Sequence, residues 1–432
     1  MKPKNYSPES LMMSHGYKPE LSEGAVKCPI FQTSTFAFKT AEEGKAFFEI
    51  AYGLREKDPK EELGLIYSRI NNPNLEILEN RLCLWDKSDD CAVFESGMSA
   101  ISTVLLEFLK PGDLLVHGNP LYGGTDHFIE HFLTKIGIHV LSVHPDESSE
   151  DIISMIKTSG KGDKLAMIFL ETPANPTNEI VDIESYKNIC KHFSTDDKEV
   201  LLAVDNTYMG PLWQHPLQFG ADLVLYSATK YIGGHSDLIA GAVLGPAELM
   251  IRVKTLRTFL GNMLSPNTAW LLLRSLETLK VRMSQQTENA QQVAAFLNKH
   301  SAVEKVNYLG LLKEGTKEHT IYKKQCEAPG AMISFDIKGG EKEAFQFMNS
   351  LKLFKIAVSL GSTESLVQHP ITMTHAGVDP THRERMNITD KLIRLSIGVE
   401  NADDIIWDIE QALENIQSRV LGTNHKFQMV SD

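Results

Sequence analysis

The sequence has few of the features that mark secreted, membrane-spanning or nucleic-acid-binding proteins. Its 432 residues include only five cysteines, which are scattered along the chain and form no C-x-x-C pair: Cys28, Cys83, Cys91, Cys190 and Cys326. An odd number of widely spaced cysteines argues against a disulfide framework or a metal site and is typical of the cytoplasm. No apolar run approaches the ~18 residues that span a bilayer, and no apolar core follows the first residues. We therefore expect neither a membrane segment nor a signal peptide.

Positive charge is also in short supply. The formal net charge is −13, which provides no electrostatic footprint for nucleic acid or for an anionic membrane. The sequence contains no G-x-G-x-x-G, the motif that a nicotinamide-binding Rossmann domain needs after its first strand. A nicotinamide-dependent oxidoreductase is therefore disfavoured. The length suits two or three domains.

Short apolar runs alternate with helical patterns through the first two thirds of the chain. Such alternation predicts a mostly parallel sheet covered by helices on both faces. Ligands bind at the carboxyl ends of the strands in sheets of this kind. The predicted strands are 91–94, 113–117, 139–143, 165–170, 200–204, 222–226 and 239–244.

Lys230 lies in the motif Ser227-Ala228-Thr229-Lys230, between two of these apolar runs. Burial lowers the pKa of a lysine, and a neutral lysine can attack a carbonyl to form a Schiff base. The hydroxyls of Ser227 and Thr229 suit phosphate oxygens. For this motif alone, a solvated lysine at the end of a strand is the commoner explanation, so the hypothesis depends on the rest of the chain.

Other strand ends supply complementary groups. Gly97 and Met98 lie where a strand gives way to a helix, so their N–H groups could bind an anion, although Ser96 could simply cap that helix. Tyr122 offers a flat ring, and Asp205 follows a strand as an acid. Arg394 interrupts an apolar strand and needs an anion, either an internal carboxylate or that of a substrate.

Together these residues match what pyridoxal 5′-phosphate (PLP) requires. Lys230 would carry the aldehyde, Asp205 would keep the pyridine nitrogen protonated, and Tyr122 would meet the ring. The helix start and the two hydroxyls would hold the phosphate.

The two ends of the chain differ from this central region. Residues 1–70 read as an arm with little core of its own, which carries a charged insertion at 55–62 and ends near Tyr67-Ser68-Arg69. A helical region over 263–300 leads to a second domain, with strands at 303–308, 332–337 and 393–397 and helices at 344–351 and 402–416. We expect an arm (1–70), a cofactor-binding α/β domain (71–265) and a C-terminal α/β domain (266–432).

The motifs resemble the γ-subfamily of PLP-dependent enzymes of cysteine and methionine metabolism, over almost the whole chain. The family includes methionine γ-lyase, cystathionine γ-lyase, cystathionine γ-synthase and O-acylhomoserine sulfhydrylases. The motifs that carry the resemblance include Ser96-Gly97-Met98, Tyr122-Gly123-Gly124, Glu171-Thr172-Pro173-Ala174-Asn175-Pro176, Ser227-Ala228-Thr229-Lys230 and Arg394-Leu395-Ser396. The resemblance implies an aminotransferase-like fold type I architecture, with a mostly parallel seven-stranded large domain and a smaller C-terminal α/β domain.

The resemblance also implies roles for individual residues. Lys230 and Tyr122 would be catalytic, and Tyr67 and Arg69 would reach the cofactor phosphate of a neighbouring subunit in a homotetramer built from two dimers. The residues that would bind cofactor within the subunit are Gly97, Met98, Tyr122, Asp205, Ser227, Thr229 and Lys230. Those that would contact the substrate carboxylate or the cofactor ring oxygen are Asn175, Ser359 and Arg394.

Val358 favours one reaction within the family. Cystathionine enzymes typically carry glutamate at this position, whereas an apolar residue resembles methionine γ-lyase. Gly124 points the other way, since methionine γ-lyases typically carry cysteine there. The sequence therefore predicts a cytoplasmic carbon–sulfur lyase that converts methionine to 2-oxobutanoate, ammonia and a thiol by α,γ-elimination. The alternatives are γ-replacement, by a cystathionine γ-synthase or a sulfhydrylase, and cystathionine γ-lyase activity in trans-sulfuration.

Overall fold

A computed structural model describes residues 6–51, 53–56, 58, 61, 64–378, 383 and 385–427, with only the backbone described over 417–427. Its strands are β1 (Asp90–Phe94), β2 (Leu114–Gly118), β3 (His139–Val143), β4 (Leu165–Glu171), β5 (Leu201–Asp205), β6 (Leu223–Tyr226), β7 (Gly241–Gly245), β8 (Val303–Asn307), β9 (Met332–Ile337), β10 (Lys355–Ile356), β11 (Leu366–Gln368) and β12 (Leu392–Ser396).

The α-helices alternate with these strands, as the sequence pattern predicts. They are α1 (Pro8–Leu11), α2 (Ala41–Ala51), α3 (Pro73–Asp86), α4 (Gly97–Phe108), α5 (Gly123–Phe128), α6 (Ser149–Thr158), α7 (Ile183–Phe193), α8 (Gly210–Trp213), α9 (Ala247–Leu260), α10 (Pro266–Leu276), α11 (Leu279–Leu297), α12 (Lys317–Gln325), α13 (Glu341–Ser350) and α14 (Ala402–Phe427).

The larger sheet has seven strands in the order β1-β7-β6-β5-β4-β2-β3. Strands β6, β5, β4, β2 and β3 run parallel, and β7 runs antiparallel to both of its neighbours. Strands β5, β6 and β7 are buried along their whole length. A parallel sheet covered on both faces gives such continuous apolar runs. The carboxyl ends of β4, β5 and β6 therefore lie side by side.

The second sheet has the order β10-β11-β12-β9-β8 and is antiparallel except for the β10–β11 pair. Helix α13 packs against α14, and α11 contacts β8, β9 and α14. Arg394 lies in the middle of β12, paired with Ser334 of β9. The sheet thus presents a buried guanidinium to the larger sheet.

Two of the differences between predicted and observed elements have a visible cause. The helical region over 263–300 is two helices, α10 and α11, because the chain leaves helical geometry at Thr278, where ψ is 6°. The strand predicted from Ile239 begins at Gly241. The reason is that Thr229 Oγ1 accepts from the backbone N–H of Ala240 at 3.0 Å and donates to the Ala240 carbonyl at 3.2 Å. Ile239 consequently lies in a loop.

The arm packs onto the rest of the chain through its backbone. Arg81 Nε donates to the carbonyl of His15 at 3.0 Å, Asn74 Nδ2 donates to that of Pro29 at 2.8 Å, and Trp270 Nε1 donates to that of Cys28 at 3.0 Å. The division of the chain at residues 70 and 265 stays a prediction.

Part of the charged insertion at 55–62 is described. Arg55 donates to Glu61 at 2.6 Å and to Glu49 at 3.3 Å, so it joins the insertion to α2. Residues 57, 59, 60 and 62 lie outside the described residues. No helix among the described residues is long and apolar enough to cross a membrane.

Candidate active site

A cavity of about 570 Å³ lies at the carboxyl ends of β4, β5 and β6, and Arg394 of the second sheet closes one side of it. The predicted cofactor- and substrate-binding residues line this cavity, with the exception of Tyr67 and Arg69. Those that line it are Gly97, Met98, Tyr122, Asn175, Asp205, Ser227, Thr229, Lys230, Val358, Ser359 and Arg394. Segments separated by up to about 300 residues of sequence thus converge on one cavity.

Lys230 lines the cavity. Its Nζ donates to Ser359 Oγ at 2.9 Å. Burial, followed by the nearby Arg394 charge, lowers the pKa of this lysine to about 8. Ser359 has a φ of +100°, a backbone conformation that costs a non-glycine residue free energy and is common at functional sites. This conformation turns the hydroxyl of Ser359 toward Lys230 and its carbonyl toward Arg394.

The start of α4 and the loop after β6 meet in the cavity lining, where the sequence predicts a phosphate site, and we call these two segments the anion cradle. Ser96 caps α4 by accepting from Ser99 N–H at 3.0 Å. The N–H groups of Gly97 and Met98 come before Ser99 in the first turn, where a helix has no intrahelical acceptor for them. A Cβ atom at Gly97 would lie 2.8 Å from Ser227 Cβ, so only glycine permits this approach. Ser96 caps the helix and also lies in the cavity lining, so the cap does not exclude an anion site at Gly97 and Met98, which stays a prediction.

Asp205 ends β5 and is buried. Its Oδ1 accepts from Thr207 N–H at 2.9 Å, and Thr207 Oγ1 in turn accepts from Ser227 N–H at 2.8 Å. Burial raises the pKa of Asp205 above its ordinary value. A cationic partner in the cavity would therefore stabilise its ionised form.

Arg394 is held in a fixed orientation by acceptors on several elements. Its Nη1 donates to Asn175 Oδ1 at 2.8 Å, and its Nη2 donates to the Ser359 carbonyl. The Gln368 amide, oriented by its hydrogen-bond partners, accepts from Arg394 Nε at 3.3 Å. The described residues give Arg394 no hydrogen bond to a carboxylate, so the internal salt bridge that the sequence left open is not formed there.

Tyr122 precedes α5, and its ring is half-exposed at the cavity. A Cβ atom at Gly124 would lie 2.6 Å from Tyr122 Cε1, so the ring packs directly on the backbone at that position. The backbone N–H of Tyr122 donates to Glu171 Oε2 at 2.7 Å.

The mouth of the cavity is apolar. Val358 and Ile239 line it and are 57% and 66% exposed, and Met373 lies in the same wall. The acidic residues that line the cavity are Glu171 and Asp205, and each accepts a hydrogen bond from backbone N–H groups.

Tyr67 and Arg69 are not brought to this cavity. Arg69 Nη1 donates to the Thr258 carbonyl at 2.8 Å, and the guanidinium lies 5.7 Å from the centre of the Tyr67 ring. Phe259 and Leu260, the two residues after Thr258, are 77% and 50% exposed. The pair thus belongs to an exposed, partly apolar surface at the end of α9.

Sequence reasoning gave no site role to several residues that line the cavity: Glu171, Thr207, Tyr208, Ile239, Met373 and Thr374. The strand-end rule pointed to Glu171 as well as to Asp205, because each ends a parallel strand and the two are partners in the β4–β5 register, but it supplied a role for Asp205 alone. Ile239 gave no signal of its own, because it was assigned to a buried strand.

Comparison with known proteins matches residues 9–414 to the family of Cys/Met metabolism PLP-dependent enzymes. The chain is 42% identical to the L-methionine γ-lyase of Fusobacterium nucleatum subsp. polymorphum, over 91% of this chain and 94% of that protein. It is 38% identical to the cystathionine γ-lyase of Bacillus subtilis, over 94% of this chain and 99% of that protein. The crystal structure of cystathionine γ-synthase from Xanthomonas oryzae pv. oryzae superposes with a TM-score of 0.84, at 32% identity, over 96% of this chain and all of that one.

Proposed function

This chain belongs to the Cys/Met metabolism PLP-dependent enzymes, and we propose that it catalyses the α,γ-elimination of L-methionine or a homologue to 2-oxobutanoate, ammonia and a thiol. It is a PLP-dependent carbon–sulfur lyase of the methionine γ-lyase type with the fold type I architecture. The observation that carries the choice of methionine is the apolar mouth of the cavity at Val358 and Ile239.

The cavity fits PLP by the chemistry of its donors. The free N–H groups at the start of α4, with the Ser227 and Thr229 hydroxyls, would hold the phosphate, and the glycine-dependent approach of Gly97 to Ser227 shapes that cradle. Buried Asp205 would pair with the pyridine nitrogen, and Tyr122 would lie against the ring. When bound, PLP supplies an electron sink that stabilises negative charge on the substrate carbon next to its amino group.

Lys230 holds and moves protons in this proposal. With a pKa lowered to about 8, its amine is partly neutral near pH 7, the form that would hold the cofactor aldehyde. In the presence of substrate, Lys230 Nζ would take a proton from the substrate carbon and return it at the next position, since a pKa near the working pH suits both transfers. Ser359, 2.9 Å away, orients the amine.

Arg394 and Asn175 orient the substrate. The guanidinium is fixed by Asn175 and Ser359 and presents a planar cation to the cavity, which suits a carboxylate. Binding the α-carboxylate there would direct the side chain of methionine toward the apolar wall. Its thioether and methyl lose little when they leave water.

Cystathionine differs from methionine by a second charged amino group at the far end of its side chain. Among the residues that the structure describes, Val358 and Ile239 at the mouth offer that ammonium no carboxylate, so it must be desolvated without an ion pair or remain in water. We therefore expect the native enzyme to prefer methionine to cystathionine in kcat/KM.

Val358→Glu is expected to shift the ratio of kcat/KM values toward cystathionine by about 5- to 150-fold, corresponding to ~1–3 kcal/mol for a hydrogen bond to a charged group. The same change should weaken methionine, because a carboxylate would face its methyl group. Steady-state kinetics with both substrates measure the ratio, and Val358→Gln is the matched control for size without charge. A native enzyme that already favours cystathionine, or an unchanged ratio in the glutamate variant, would contradict the proposal.

A second candidate, γ-replacement on an O-acylated homoserine, is favoured by one observation. Gly124 stands where methionine γ-lyases typically carry cysteine, and the Tyr122 ring occupies the space that a side chain would need. Product analysis with methionine, cystathionine and O-acetylhomoserine, each with and without an added thiol, separates the two functions. α,γ-Elimination predicts 2-oxobutanoate and methanethiol from methionine alone. γ-Replacement predicts a new thioether that forms only with the added thiol.

We also propose that the active enzyme is a homotetramer of two dimers in which Tyr67 and Arg69 serve the neighbouring subunit. The support is geometric, since this phosphate-suited pair lies outside its own cavity and beside the exposed Phe259 and Leu260. All five cysteines are free and four of them are buried, which suits the reducing cytoplasm that we propose as its location.

Mixing two inactive variants tests the shared site. An Arg69→Ala chain retains Lys230, and a Lys230→Ala chain retains Arg69. In a hybrid dimer, the site that contains Lys230 therefore receives an intact Arg69 from the neighbouring chain, so one of the two sites is complete. We expect activity to return to roughly a quarter of the native value after subunit exchange, since random mixing gives about half hybrids with one complete site each. No recovery, with exchange shown by mass-tagged subunits, would contradict a site built from two chains.

A further inference from the structure

Glu171 connects two loops that carry predicted functions in the cavity. It is the last residue of β4. Its Oε2 accepts from the backbone N–H of Tyr122 at 2.7 Å, and its Oε1 accepts from that of Asn175 at 3.1 Å. Tyr122 belongs to the loop after β2, and Asn175 to the loop after β4 itself. The Glu171 side chain thus joins Tyr122 to Asn175, which accepts a hydrogen bond from Arg394.

The surroundings of Glu171 disfavour the ionised form of its carboxyl group. Its neighbour in the β4–β5 register is another acid, Asp205, and the positive charge of Arg394 offsets this repulsion only in part. Burial, followed by the charge of Asp205, raises the pKa of Glu171 to about 8, against the hydrogen bonds from Tyr122 and Asn175. An apolar residue would avoid these costs but could not accept two N–H bonds.

We propose that Glu171 is a positioning residue that fixes Tyr122 and Asn175 relative to each other and to the bound substrate. The two accepting oxygens belong to one side chain at the end of β4, so both loops are tied to the same strand. One bond on each oxygen fixes both loops. The role of these loops in catalysis rests on the proposed function, but the two hydrogen bonds do not.

Glutamine and alanine at this position should have different effects. Glu171→Gln keeps one oxygen acceptor and turns an NH₂ group toward the second N–H, so one of the two loops loses its partner. Glu171→Ala removes both acceptors. Glu179→Gln is the matched control, because this partly buried acid of the same connection accepts from Thr177 Oγ1 at 3.0 Å and does not line the cavity.

Hydrogen–deuterium exchange of the cofactor-loaded protein tests the two bonds directly. We expect exchange of the Tyr122 and Asn175 amides to speed up at least tenfold in Glu171→Ala, and that of only one of them in Glu171→Gln. The remaining amides and the Glu179→Gln control should keep native rates. Native protection of both amides in Glu171→Ala would overturn the proposal, and so would faster exchange spread evenly over the chain. If the alanine variant does not fold, the glutamine variant decides.

Kinetics then connect the bonds to the reaction. Glu171→Gln is expected to lower kcat/KM for methionine about 10- to 100-fold when measured at saturating PLP, because the loss lies in the positioning of the two loops and not in cofactor content. Native kcat/KM in this variant would overturn a positioning role. If the native protein does not turn over methionine, the proposed function fails on its own, and the exchange experiment still decides whether Glu171 holds the two loops.

Discussion

Replacing Lys230 with alanine should lower the turnover of methionine by at least 10²- to 10⁴-fold, the usual contribution of one positioned proton-transfer group. The variant also loses the amine that reacts with the cofactor aldehyde, so the visible absorption of the loaded protein should change. PLP should still be retained through Gly97 and Ser227 of the anion cradle. Cofactor content after denaturation and steady-state kinetics measure the two effects separately.

The pH dependence of cofactor uptake gives a second readout for Lys230. Because its pKa is lowered to about 8, the neutral fraction of the amine should rise about tenfold per pH unit below pH 8 and level off above it. For a solvated lysine, the neutral fraction of the amine would keep rising up to the ordinary lysine pKa near 10.4. Lys187→Ala, at a lysine paired with Asp222 at 2.7 Å outside the cavity, is the matched control. Native turnover in Lys230→Ala would contradict the assignment.

The sequence was most informative where local pattern and chemistry agreed. Strands β3 and β9 match the predicted ranges of 139–143 and 332–337, because each is a short apolar run bounded by polar residues. Asp205 and Lys230 were identified by the rule that ligands bind at strand ends, and both line the cavity. The family comparison confirms the resemblance and the cofactor.

Interactions between distant segments could not be predicted in the same way. The start of β7 depends on a side chain, Thr229, that captures the backbone of Ala240 eleven residues later. Glu171 directly follows a predicted strand, but its bond to the N–H of Tyr122 spans 49 residues of sequence. No local pattern reveals such a contact, because both partners are also common in loops that have no function.

Replacing Arg394 with lysine is expected to lower kcat/KM for methionine about 10²- to 10³-fold. Lysine keeps the charge but has one nitrogen in place of the planar fork, so it cannot place donors at Asn175 Oδ1, at the Ser359 carbonyl and at a carboxylate from separate fixed positions. Each lost hydrogen bond to a charged group is worth ~1.5–3 kcal/mol. The loss should fall on substrate binding, and PLP affinity should stay near native because no phosphate-binding residue is changed.

A substrate analogue without the carboxylate separates this effect from general damage to the cavity. In the native enzyme, 3-(methylthio)propylamine, which is methionine without its α-carboxylate, should inhibit weakly. Its inhibition constant should be nearly the same in Arg394→Lys, because the changed residue has nothing to bind in it. Arg257→Lys is the matched control, since this buried arginine pairs with Glu79 at 2.6 Å and lies outside the cavity. An equal loss of affinity for the amine, or a kcat/KM for methionine within threefold of native, would show that Arg394 does not bind the substrate carboxylate.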